Sequence, residues 1–197
     1  MSAATVTRSK TMELSRTGPD HYRLIGRLTD ISLHGDHGSN PGVGETPYDG
    51  VIHDFVVDGE LQGSDLIVTN LDVRAETHPY RQCPAILHSC QKLVGQSLAG
   101  GWRRTVLQTL GATAGCTHVT TLLLGLAEAR TMAFFLRMNA AQAYTEQTRA
   151  DGRWTAAGLD LAPSIVDACH VLSSSGTVVQ DARNVAKGIY HQRQQDR

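Results

Sequence analysis

The chain has 197 residues, enough to close one substantial hydrophobic core. Its 41% hydrophobic and 19% charged content excludes a disordered segment. Eighteen Lys and Arg against nineteen Asp and Glu leave a formal charge of -1, which argues against a general polyanion binder, because phosphate neutralisation needs a basic face.

Residues 1–12 read as a flexible N-terminus with no apolar core of signal-peptide length. Strand signals follow. Residues 22–30 alternate, and residues 51–58 and 66–73 are rich in β-branched side chains. Asp58-Gly59 opening a turn between the last two runs, with Gly63 close behind, predicts an antiparallel hairpin. The stretch 34–50 is rich in Gly and Pro and reads as a mobile loop. After Pro79 the texture becomes helical. Residues 84–94 place Ile86, Leu87, Cys90, Leu93 and Val94 at helical spacing, with Gly95 as the stop. Gly100-Gly101 precedes a short amphipathic helix at 102–110. A long helix is predicted from Thr117 to about Gln147, with Val119, Leu122, Leu123, Leu126, Ala129, Met132, Ala133, Leu136 and Ala140 on or near one face. Residues 150–163 read as a polar connector, 165–172 and 177–179 as short apolar segments, and 181–197 as a polar tail. Strands first and helices later predict an α+β fold, an N-terminal antiparallel sheet packed on C-terminal helices in a single domain over 13–180.

Nine His and four Cys are the surplus to explain. The apolar runs near 119–126 and 132–136 are broken by Glu128 and Arg130, short of a bilayer span. The expectation is therefore a cytoplasmic chain that engages neither membrane nor nucleic acid, with its thiols reduced. Cys83, Cys90, Cys116 and Cys169 then read as thiols or metal ligands, and none forms a CxxC pair.

The most specific arrangement is Gly115-Cys116-Thr117-His118 at the mouth of the long helix. Thr117 is a good N-cap, and the positive potential of a helix N-terminus favours an anionic sulfur, the form that attacks carbon or binds metal. The commoner reading is a packed Cys and a His that hydrogen-bonds locally. Pro84 suits a first helical turn, which would make Cys83 a cap residue in the same electrostatic setting. His53-Asp54 lies mid-strand, so alternation puts the two side chains on opposite faces. Asp30 and Asp72 are carboxylates near strand ends or faces, where turn caps and solvated faces are the usual roles. Cys90 sits on an apolar stripe and reads as core. Cys169-His170 is a third Cys/His pair. His34-Gly35-Asp36-His37 has chelating spacing but would lose entropy on ordering. Arg103 and Arg104 beside Trp102 could grip an anionic group of a ligand, although surface pairing is the commoner fate.

Together these motifs resemble a bacterial family catalogued as domain of unknown function 2889. The matching pieces are Gly26-Arg27-Leu28-Thr29-Asp30, Ile52-His53-Asp54-Phe55, Pro79-Tyr80 with Cys83-Pro84, and Leu93-Val94-Gly95. Gly101-Trp102-Arg103, Gly115-Cys116-Thr117-His118-Val119 and Asp167-Ala168-Cys169-His170 continue the order, over roughly residues 13–180. The loop 34–48 does not match, and Val119 stands where leucine is expected. The resemblance implies one shared site containing His53, Cys83, Cys116 and His118, with Cys169 as a further candidate. It implies no reaction.

The leading expectation is a catabolic enzyme, a hydrolase or lyase acting on a small acidic, aromatic or acyl-type substrate. His53, Cys83, Cys116 and His118 would bind Zn2+ or another divalent ion, Asp30 would be the general base, and Arg103 would hold an acidic substrate group. A closed four-ligand sphere would instead make the metal structural. Two alternatives use the same residues. In one, Cys116 is a metal-free nucleophile with His118 or His53 as base. In the other, the protein is a non-catalytic, metal-dependent binding module or scaffold. Homo-oligomerisation is left open.

Overall fold

The computed structural model describes residues 5–33 and 50–188. The predicted loop, including His34-Gly35-Asp36-His37, thus lies outside the described residues apart from Gly50. The chain is α+β and forms two compact units, Met1–Arg130 and Thr131–Arg197. The division falls inside the stretch read from sequence as one domain.

The first unit is built on a four-stranded antiparallel meander in the order β1-β2-β3-β4. Its strands are β1 (Thr5–Gly18), β2 (His21–Leu33), β3 (Val51–Gln62) and β4 (Ile67–Thr77). The expected flexible N-terminus is therefore mostly strand. β1 carries few apolar residues, only Leu14 is buried along it, and its pairing with β2 holds it in place. The hairpin between β3 and β4 is as predicted and turns at Gly63, while Asp58-Gly59, expected to open the turn, is still strand. Gly59 sits within β3 opposite Leu71, and Gly63 takes the positive φ of 78°.

Alternation makes one face of the sheet apolar. Tyr22, Leu24 and Leu28 of β2 and Phe55, Val57 and Leu61 of β3 are all buried on it. Each such side chain contributes roughly 1.5–3 kcal/mol by leaving water. The longer helical segments of the unit are a 3-10 helix at Cys83–Leu93, α1 (Trp102–Leu110) and α2 (Thr117–Gly125). The first was expected to be α-helical. Its N-cap is Gln82 rather than Cys83, with Pro84 in the first turn, and Gly95 beyond its end has the left-handed φ of 84°. Residues 95–98 then hydrogen-bond to Leu66 and Val68, covering the outer edge of β4.

α2 packs on the apolar face through Val119, Leu122, Leu123 and Leu126, all buried. Gly26 faces this helix, where a Cβ would meet Leu122 at 3.4 Å and Leu126 at 3.5 Å, in ordinary contact. Trp102 ties α1 to α2 by donating from Nε1 to the Leu123 carbonyl at 2.7 Å.

The predicted long helix is interrupted. α2 passes through a 3-10 turn at Leu126–Glu128 into α3 (Ala129–Ala141). Continuous helicity over Thr117–Ala141 spans 25 residues, long and apolar enough by length and composition to cross a membrane. That corrects the expectation that no segment approaches this length. Such a segment also serves as the core helix of a folded unit, and the buried stripe at Val119–Leu126 has that use.

The second unit contains the rest of α3 with α4 (Glu146–Ala150), α5 (Arg153–Leu161) and α6 (Thr177–Ala186). The expected polar connector at 150–163 thus holds α5, α4 begins where the long helix was expected to end, and α6 extends into the expected tail. The stripe expected on α3 is buried at Ala133 but not at Ala140, and Met138 is buried in its stead. Thr145 caps α4 through a reciprocal bond with Thr148.

Candidate functional site

Sheet register assembles the centre of the site. Arg8 of β1 lies opposite Asp30 of β2, and Asp30 lies opposite His53 of β3. The three side chains therefore form a row on the face that α2 covers, at the end of the sheet beyond the apolar pairs Leu28 and Phe55. Asp54 lies on the opposite face, as alternation predicts, where it pairs with both nitrogens of an Arg27 fork.

Arg8 grips Asp30 with two parallel bonds, Nε to Oδ1 at 2.6 Å and Nη2 to Oδ2 at 2.7 Å. The carboxylate is 7% exposed and the guanidinium 49%. Hydrogen bonding from Arg8 holds the Asp30 carboxyl below the usual carboxylate range, against the opposing effect of burial, with help from the charges of Arg8, His118 and His53. An ionised carboxylate only accepts, so each ring nitrogen facing it carries its proton. Those nitrogens are His53 Nδ1 at 3.1 Å and His118 Nε2 at 3.3 Å, both on Oδ2.

His118 enters from the first turn of α2. The N-cap of that helix is Cys116 rather than the predicted Thr117, and no side chain caps it. Gly115 sets up this entry. A Cβ on it would lie 2.8 Å and 2.9 Å from the backbone carbon and Cα of Leu110, closer than real Cβ atoms come. Beyond Gly115 the Cys116 sulfur reaches His118 Nδ1 at 3.5 Å. With the His118 proton on Nε2, Nδ1 is the acceptor and the thiol donates to it. Burial pulls the His118 pKa below the ordinary value for histidine. The neighbouring His53 and Arg8 add to that effect and Asp30 opposes it. The imidazole is therefore neutral near pH 7.

The result is a relay of sulfur, imidazole and carboxylate, with a second imidazole stacked beside the first. The His53 and His118 ring centres are 3.7 Å apart, and Phe55 lies parallel to His118 at 6.0 Å. Cys116, His53 and His118 are each partly exposed.

The residues anticipated from sequence divide accordingly. His53, Cys116, His118 and Asp30 come together. Asp30, expected as a general base, is bonded by Arg8 on both oxygens. Cys83, partly exposed at the start of its 3-10 helix, belongs to no group of three potential ligands among the described residues. Cys90 is fully buried, and burial pushes its thiol up to about 11. Cys169 is exposed in the second unit. Arg103 lines an open groove of about 740 Å3 with Arg104, Trp102, Leu107 and Gln108, none of them part of the Asp30 cluster. Asp72 is solvated and paired with Arg74.

Arg8 was not anticipated. Its signal is the alternation Arg8, Lys10, Met12, Leu14, which places it on the inner face once β1 is taken as a strand.

The expected metal set of His53, Cys83, Cys116 and His118 is not what the fold gathers. One donor atom each from Asp30, His53 and His118 lies within 4.8 Å of the others, and this is the one such trio among the described residues. Its geometry suits a hydrogen-bonded centre better than an ion. Two imidazoles bound to one ion at about 2.1 Å and 90° would have ring centres about 4.6 Å apart, well beyond the observed 3.7 Å. Both carboxylate oxygens are also already engaged by a cation.

The chain belongs to the family described as protein of unknown function DUF2889, whose family model matches residues 6–132. The match contains Arg8, Asp30, His53, Cys116 and His118 and ends before Cys169-His170. No curated protein and no solved structure matches the chain.

Proposed function

We propose that this member of the family is a thiol-dependent hydrolase of small acyl-type substrates, with Cys116 as nucleophile. The observation that carries the reading is the relay itself, Cys116 Sγ to His118 Nδ1 at 3.5 Å and His118 Nε2 to Asp30 Oδ2 at 3.3 Å. A nucleophile bonded to a base that a third group orients is the arrangement acyl transfer requires.

In the forward step His118 Nδ1 takes the Cys116 proton while the sulfur forms a bond to the acyl carbon. The leaving oxygen or sulfur departs with the proton that His118 held, leaving a thioester on Cys116. Water then cleaves that thioester, releasing the acid and restoring the thiol. Asp30 fixes the His118 tautomer and stabilises the transient imidazolium, and Arg8 fixes Asp30. A sulfur nucleophile favours this hydrolytic chemistry over a lyase reaction, because elimination needs a base at the substrate and no nucleophile.

The test uses the full chain with p-nitrophenyl acetate and, separately, iodoacetamide. Peptide mapping should show Cys116 alkylated faster than the exposed Cys169, and Cys116→Ala should abolish release of nitrophenol. Equal reactivity of the two thiols would overturn the proposal. Turnover lost on chelation and restored by Zn2+ would overturn it in favour of an ion held by Asp30, His53 and His118.

A further inference from the structure

A relay of one sulfur, one imidazole and one carboxylate needs a single histidine, yet Asp30 anchors two. His53 donates its Nδ1 proton to the same Oδ2 that His118 uses, at 3.1 Å. In the neutral ring that bond puts the basic lone pair on His53 Nε2. Among the described residues Nε2 has no hydrogen-bond partner, although the side chain is only 16% exposed. A carboxylate-anchored imidazole with a free nitrogen, stacked 3.7 Å from the nucleophile's own base, is arranged to take a proton from a molecule entering the site.

We infer that His53 is a second catalytic base, dedicated to the water that cleaves the acyl-enzyme. This rests on the thiol-hydrolase reading above. The two steps would then use different edges of one carboxylate-bound pair. In acylation His118 faces the sulfur and handles the thiol proton. In deacylation a water oxygen bonds to the acyl carbon of the Cys116 thioester and gives its proton to His53 Nε2. The carbon–sulfur bond breaks, and the electron pair leaves on sulfur. The thiolate regains a proton through His118, and His53 loses its own to solvent, so protons and electrons balance over the cycle. Stacked imidazoles repel one another when both are charged, so sharing the work also spares the pair a double protonation.

The experiment is rapid-mixing kinetics of the full chain with p-nitrophenyl acetate, comparing wild type, His53→Asn and His53→Gln. Asparagine keeps a donor near the Nδ1 position, so Asp30 stays satisfied, but it carries no base. The expected result is a burst of nitrophenol within about threefold of wild type and a steady-state rate reduced roughly 100-fold or more. An acetyl adduct should accumulate on Cys116 by mass spectrometry, and added imidazole should restore part of the slow step. Thermal melting of both variants checks the fold, and the glutamine variant serves if the asparagine variant melts early. A burst and a steady-state rate reduced in equal proportion would overturn the inference and make His53 a positioning residue. An unchanged steady state would overturn it as well. Absence of any Cys116-dependent burst in the wild type would instead remove the underlying hydrolase reading, and this inference with it.

Discussion

Replacing Asp30 by asparagine isolates the electrostatic centre of the site, since the two side chains have nearly the same shape. The native carboxylate accepts three hydrogen bonds, two from Arg8 and one from His53, and lies 3.3 Å from His118 Nε2. An amide offers one acceptor oxygen and one donor nitrogen. If the oxygen faces the imidazoles, the NH2 group confronts the Arg8 guanidinium, which has only donors. If the amide turns over, its NH2 faces the imidazoles. His118 must then leave Nε2 bare and move its proton to Nδ1, where it points at the Cys116 sulfur instead of accepting from it. Either orientation loses at least one charge-assisted bond, worth about 1.5–3 kcal/mol each. Because Arg8 is 49% exposed, water recovers part of that loss, so a net destabilisation of about 2 kcal/mol is expected. The kinetic effect is larger. A base held in the wrong tautomer lowers turnover by roughly 10,000-fold where this has been isolated in a nucleophile–His–Asp relay. Urea unfolding gives the first quantity, and the acylation burst with p-nitrophenyl acetate gives the second. A variant that loses stability but keeps the wild-type burst would refute the orienting role of Asp30. It would leave the carboxylate as an anchor for β1 and nothing more.

Three further outcomes follow from the same geometry. Asp30 and His118 both hold their pKa values below those of the unfolded chain. Each therefore binds fewer protons when folded, and its stabilisation is complete above the unfolded value and lost as pH falls through the folded one. Urea midpoints should decline as pH drops below about 6.5 for His118 and again below about 4 for Asp30, and a midpoint that rises on acidification from pH 7 to 5 would contradict this. Gly115→Ala should cost about 1–3 kcal/mol, because the new Cβ meets the Leu110 backbone rather than a flexible side chain; Cys116 alkylation should slow with it, and unchanged reactivity would detach the glycine from the site. Leu122→Ala removes a fully buried side chain between α2 and the sheet and should lower stability by about 2–5 kcal/mol in denaturant titration.

What could be read from the sequence was whatever local chemistry declares. Gly-Cys-Thr-His before an apolar helix, His-Asp within an alternating strand, and Gly-Gly before Trp102 each carry their meaning in a few adjacent residues, and α1 begins and ends where its pattern says. β1 declares nothing of the kind. Its inner face runs Arg8, Lys10, Met12, Leu14, so the half nearest the site is cationic, and only its pairing with β2 makes it a strand. The two helices at 146–161 were hidden for a related reason. They are short, and burial within them falls on Thr148, Thr155, Ala156 and Gly158, which carry little hydropathy signal.

The identity of the third partner in the site depended on this same strand. Without β1, Asp30 is a lone carboxylate at a strand end and looks available as a base, and the nearby His and Cys residues look like ligands awaiting an ion. With Arg8 in place, the carboxylate is committed on both oxygens. Its charge is already balanced, with His53 hydrogen-bonded to it and His118 Nε2 3.3 Å away. On the proposed reading, one edge-strand arginine decides between two chemistries that the motif residues alone leave open. Were Arg8 replaced by methionine, Asp30 would lose its counter-ion and become a better metal ligand. Zn2+ affinity measured by calorimetry should then rise relative to wild type, while Cys116 acylation falls. If Zn2+ binds the wild type as tightly as the variant, Arg8 does not hold the carboxylate away from metal.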